Sequence, residues 1–166
     1  MDKFEEYLNK KDNEYVDLAL IDKSYKSYIK KGVKKNEPNY KDVNSFDKDN
    51  LDLSTLGDAI IKFVYVNLFI DDNKIKMLSK EIEKYITDKY FITKVAKKYD
   101  ILKHLKYDKS DSNMHTDYEY KDNENRKFIA TAVEAMIGAI YLNLINKDGD
   151  WFKEISSILK EWMTFE

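Results

Sequence analysis

Turn-forming residues are almost missing from this chain: it has four glycines and one proline in 166 residues. Tight turns depend on the positive φ that glycine tolerates and the fixed φ that proline imposes, so a β-rich fold with many hairpins is disfavoured. An all-α architecture of about seven helices is expected. Apolar residues make up 43% of the chain, enough to build a core for a single domain over 1–166. Cysteine is absent, which excludes disulfide scaffolds, thiolate zinc sites and thiol nucleophiles. The opening MDKFEEYLNKKDNEY has no apolar signal core and no run approaches 18 uncharged apolar residues. The expectation is therefore no membrane segment and an intracellular location, cytoplasmic or nuclear.

Apolar residues recur at helical spacing. One helix is predicted over about Tyr15–Lys31, ending at Gly32, followed by an exposed loop over Lys34–Lys48 around Pro38. A long helix is expected over about Asp49–Ile70, with Leu53, Leu56, Ile60, Ile61, Val64 and Leu68 at three- to four-residue steps and a break at Asp71-Asp72-Asn73. Helices at about Ile75–Ile86, Asp88–Tyr99 and Ile101–Leu105 follow. The stretch from Tyr107 to Asn125 is polar and lacks periodicity, which predicts a mobile loop. The most apolar helix is predicted over about Arg126–Asn146, and an amphipathic one over about Trp151–Trp162.

The chain is nearly neutral, with a net charge of −2, so it lacks the overall basic character of a strong nucleic-acid binder. Its charges are nevertheless segregated. Lys23–Lys35 and Lys89–Lys109 are lysine-rich, whereas Ser110–Glu124 is acidic. Each lysine run reads as a solvated helix face, and together they offer a surface able to follow phosphates. Lys23, Lys26, Lys97, Lys98 and Lys127 are the candidate phosphate contacts. His104 and His115 stand outside any hydrolase or zinc-protease motif, and no glycine-rich phosphate loop is present. His104 reads as a helix-end residue. Trp151, Phe152, Ile155 and Trp162 read as core or dimer-interface residues.

Two glycines, Gly57 and Gly138, fall inside the two most apolar segments. Glycine costs about 1 kcal/mol relative to alanine in a helix interior, and close approach of another backbone offsets that cost. Each glycine has an acid close by: Asp58 follows Gly57, and Glu134 precedes Gly138 by one turn. The face around Asp58 carries Ser54 and Lys62, and the face around Glu134 carries Lys127 and Thr131. If the helices cross there, the carboxylates meet. Like charges about 4 Å apart repel by roughly 4 kcal/mol at an effective dielectric of 20. A divalent cation reverses that sign, and oxygen ligands favour magnesium, with manganese as a substitute.

LSTLGDAII (Leu53–Ile61) and KFIATAVEAMIGAIYL (Lys127–Leu142) resemble the two signature segments of the ribonuclease III family of double-stranded RNA endonucleases. ALIDKSY (Ala19–Tyr25) is similar to that family's upstream segment, and ITDKYFITKVAKKYDILKHLK (Ile86–Lys106) to the helical stretch between the signatures. The resemblance implies an all-α endonuclease domain, a homodimer holding duplex RNA in a groove, and magnesium-assisted hydrolysis of phosphodiesters in RNA processing or silencing. It assigns Asp58 and Glu134 as catalytic metal ligands, and Asn50 matches the asparagine that opens the signature.

The chain departs from the family pattern at several positions. Leu51 stands in place of the first catalytic glutamate, seven residues before Asp58 and thus about 20° from it around the helix. Asp52 points roughly 120° away from Asp58 and is no substitute. Ser54 replaces a second signature glutamate and Thr131 the other catalytic aspartate. Thr55 sits where an aromatic usually enters the partner subunit. The expectation is therefore a one-metal or weakly binding site, in which an RNA phosphate supplies missing oxygen ligands, Ser54 and Thr131 act through water, and Asn50 holds a supporting position. The expectation is a single endonuclease domain over 1–166, with no double-stranded RNA-binding module in this chain. The alternative is a catalytically inactive ribonuclease III-like subunit serving as an RNA-binding or scaffold component, and a heterodimer with a complete family member would account for Thr55.

Overall fold

The computed structural model describes residues 2–10, 12–32, 48–70, 77–122 and 125–165. The expected Lys34–Lys48 loop, apart from Lys48, and the Asp71-Asp72-Asn73 break lie outside them. The helices are α1 (Lys3–Leu8), α2 (Glu14–Ala19), α3 (Tyr25–Gly32), α4 (Leu51–Phe69) and α5 (Leu78–Glu83). Next come α6, composed of Asp88–Tyr90, a π-helical stretch Phe91–Ala96 and Lys97–Tyr99, then α7 (Ile101–His104), α8 (Lys127–Ile145) and α9 (Trp151–Trp162). Extended pairing among the described residues is limited to two isolated parallel bridges, Ile21 with Lys106 and Met114 with Asn125. The architecture is all-α, as glycine and proline scarcity implies.

Side-chain caps start several of these helices by satisfying backbone N–H groups that have no partner within the helix. Asp2 accepts from the Phe4 and Glu5 amides, Asn13 from Val16, Thr87 from Tyr90 and Asp150 from Lys153. Asp100, with φ of 49°, adopts the left-handed conformation and turns the chain from α6 into α7. His104 is the last residue of α7.

Helix α8 forms the centre. From Ala132 to Ile140 only Glu134 escapes burial, which accounts for its composition: a helix covered on most sides has little use for a polar stripe. By length and hydropathy alone α8 could cross a membrane, but 67% of that window is buried against the rest of the protein. α4 lies along α8, burying Leu53, Ile60, Ile61, Val64 and Tyr65. α2, the π-helical part of α6 and α9 pack around the same helix. Trp162 is fully buried and meets Phe4 and Phe91 edge-on.

Two expectations need correction. The predicted helix over Tyr15–Lys31 is broken between Ala19 and Tyr25. There the Ser24 amide donates to Asp22 Oδ2 and the Tyr25 amide to the Asp22 carbonyl, while Ile21 pairs with Lys106. The competing local bonds of an aspartate thus override an apolar period that runs through the break. The stretch Tyr107–Asn125, expected to be mobile, is tied to the fold at several points. Asp108 is buried, bonded by Lys31 Nζ at 2.8 Å and by Ser110. Tyr118 accepts from the Leu102 amide and donates to Asp100. Arg126 is buried and pairs with Asp117 through two parallel bonds of 2.9 Å. These anchors are long-range polar pairs, which hydrophobic periodicity does not register.

Candidate active site

The crossing of α4 and α8 is set by glycine at both contact points. A Cβ on Gly57 would lie 1.8 Å from the Glu134 carbonyl oxygen, and one on Gly138 would lie 2.3 Å from the Leu53 carbonyl oxygen. Separations this short are impossible for real atoms, so the backbones touch here only because both side chains are hydrogen. Gly57 is followed by Asp58, and Gly138 lies one turn beyond Glu134, so the contact brings both acids to the same crossing.

The fold makes Glu134 feel both its burial and the charge of Asp58. Burial pushes the Glu134 carboxyl up to about 7, and repulsion from Asp58 and then Asp88 adds to the effect. Lys62 and Lys127 pull in the opposite direction. Asp58 is half-buried, and its Oδ2 accepts from Lys62 Nζ at 2.7 Å. Asp88 opens α6. Periodicity could not single it out, because an acid in the first turn of a helix is ordinary and its approach to Glu134 depends on packing.

Two of the supporting residues, Asn50 and Ser54, are committed to backbone carbonyls. Asn50 is buried; its side-chain amide donates to the Ala19 carbonyl and its backbone N–H to the Ile21 carbonyl. It fastens the start of α4 to the bend after α2. The hydroxyl of Ser54 donates to the Leu51 carbonyl at 2.8 Å, and that of Thr55 to the same oxygen at 3.1 Å. Thr131, half-buried, lines a cleft of about 470 Å³ together with Asp22, Lys23, Asn50, Leu51 and Lys127. Leu51 and Thr131 therefore share a wall of one cleft, and two of the five candidate lysines, Lys23 and Lys127, reach it. Lys26 is half-buried on α3. Lys97 and Lys98 lie exposed at the far end of α6 from Asp88, with the Lys98 ammonium 5.9 Å from the Phe165 ring centre.

A cation needs oxygen ligands and compensating charge. Among the described residues, no three His, Cys, Asp or Glu side chains are grouped to hold a metal ion. Asp58 and Glu134 together carry the charge of one divalent cation, and their repulsion is what such a cation would relieve. The donor set suits one hard ion completed by water or phosphate oxygens. It does not suit a pair of ions, each of which would need its own carboxylates.

Comparison with known proteins places this geometry in a family. The family model described as the ribonuclease III domain matches residues 51–144, from the start of α4 to the last turn of α8. The search of curated proteins gave no significant match. Among solved structures, the nuclease domain of ribonuclease III from Campylobacter jejuni superposes with a TM-score of 0.62 at 21% sequence identity, covering 97% of this chain and 94% of that one. That structure is described in terms of flexibility in its dimer-forming region. The shared fold and the family match, which takes in both glycine-flanked acids and the helices that carry them, establish that this chain belongs to the ribonuclease III domain family.

Proposed function

We propose that the chain is a magnesium-dependent endonuclease for double-stranded RNA that works with one cation per site, manganese serving as a substitute. The observation that carries this reading is that glycine lets the helices bearing Asp58 and Glu134 touch, with Asp58 adding to the upward push on the Glu134 carboxyl. Asp58 and Glu134 would hold the ion. A divalent ion bound there supplies an activated water and offsets charge on the departing oxygen of the phosphodiester. Lys23 and Lys127, on the adjoining cleft, would bind flanking RNA phosphates, and Thr131 would orient water between cleft and acids. Lys26, Lys97 and Lys98 would extend the phosphate track. Ser54 and Asn50 act on position rather than chemistry, because their polar groups hold the start of α4.

The active form is proposed to be a homodimer assembled through the exposed side of α4, where Leu51 is 57% and Phe63 is 53% exposed. Phe63 lies beside Trp151 and Phe152, with ring centres 6.2 and 6.3 Å away. The second reading, an inactive RNA-binding or scaffold subunit, draws on Leu51 and Thr131 standing in place of two acids. A cleavage assay on long duplex RNA in magnesium separates the two. Wild-type protein cuts and Glu134→Gln does not, on the proposed reading. Duplex binding without cleavage by the wild type supports the second, and cleavage that survives Glu134→Gln contradicts the assignment of the site.

A further inference from the structure

Lys62 lies one turn after Asp58 on α4, and its ammonium is held against Asp58 Oδ2 at 2.7 Å. Both partners are partly open to solvent, at 50% and 37% side-chain exposure, so a soluble ion has access to the same carboxylate. We propose that Lys62 is a resident cation of the two-acid site, which competes with the divalent ion for Asp58 and thereby sets its affinity. This rests on Asp58 and Glu134 being the cation's ligands.

Charge balance supports the competition. With Glu134 ionised, Asp58, Asp88 and Glu134 are three negative charges that act on one another's surroundings, against Lys62 and Lys127. One net negative charge remains to attract a divalent ion. Without Lys62 there are two, the number that one such ion neutralises. An ion bound to Asp58 must also displace the ammonium or tolerate it a few ångströms away. A unit charge against a double charge at about 6 Å, screened as in bulk water, changes affinity by about tenfold, and burial enlarges the effect. The displaced ammonium, on its flexible four-carbon stem, becomes available to an RNA phosphate.

The test is manganese binding measured by calorimetry at pH 8 and constant ionic strength for the wild type, Lys62→Gln, Lys62→Arg and the double variant Lys62→Gln/Asp58→Asn. Lys62 is on the exposed side of its helix and glutamine is a good helix former, so folding, checked by circular dichroism, is preserved. Lys62→Gln is expected to tighten manganese binding about tenfold, Lys62→Arg to leave it near the wild-type value, and the double variant to lose the gain. An unchanged affinity in Lys62→Gln, with binding that still requires Asp58, overturns the role of Lys62 and leaves the two-acid site standing. A gain that persists without Asp58 also overturns it. No manganese binding by either the wild type or Lys62→Gln overturns the two-acid site itself.

Discussion

Glu134 is the residue on which the proposed chemistry turns, because burial, with Asp58 and Asp88 beside it, makes its carboxylate costly to ionise and a cation would relieve that cost. Its folded value, about 7, lies above the ordinary carboxylate range. The folded state therefore binds more protons than the unfolded one between about pH 4.5 and 7, and this group's contribution to stability falls as pH rises through that window. Glu134→Gln should stabilise the metal-free protein by about 1–2 kcal/mol at pH 8, after allowance for partial solvent screening, and by almost nothing at pH 4.5. Urea denaturation at the two pH values checks this, and equal effects at both would contradict the burial account. Cation binding must expel the same proton, so divalent affinity should rise with pH up to about 7 and then level off. Asp108 has the opposite sign. The Lys31 ammonium and the Ser110 hydroxyl hold its carboxyl down at about 2. Its contribution is present above the ordinary carboxylate range and is lost as pH falls from about 4 toward 2. Asp108→Asn should flatten the acid-unfolding curve over that interval, read by circular dichroism.

The helix pair α4 and α8 explains both what could be read in advance and what could not. Gly57 and Gly138 stand out in a chain with four glycines, and their position inside apolar segments predicts backbone contact, which the structure contains. Gly57→Ala must displace the Glu134 carbonyl, and a cost of about 3 kcal/mol or more is expected, at the upper end of overpacking effects in tight cores. Thermal unfolding should show it, and a loss below about 1 kcal/mol would mean the helices slide apart easily. Asp58 and Glu134 were legible because an acid in an apolar run is conspicuous. Asp88 was not, since helix starts commonly carry acids and only the packing of α6 on α8 turns this one toward Glu134. Asn50 and Ser54 were legible as positions but not as bonds: both spend their polar groups on backbone carbonyls. The bend at Asp22 was hidden because its hydrogen bonds leave no mark on the apolar period.

For the whole molecule, periodicity found the long helices but missed α1 and ran α2 and α3 together, while polar ties fixed the segment between α7 and α8. Asp117 paired with Arg126, and Tyr118 paired with Asp100, anchor to the neighbouring helices a stretch that looks loop-like in sequence, because its order comes from specific pairs rather than burial of an apolar face. At this scale the exposed side of α4 predicts self-association. Light scattering at micromolar concentration should give twice the monomer mass, and Phe63→Glu should reduce it to that of the monomer; an unchanged dimer would place the interface elsewhere. The proposed chemistry depends on two carboxylates from touching helices sharing one hard ion. Manganese stoichiometry at pH 8, without RNA, tests this most directly. It predicts one ion per chain, lost when either Asp58→Asn or Glu134→Gln is introduced. Two tight ions per chain, or binding indifferent to both substitutions, would contradict it.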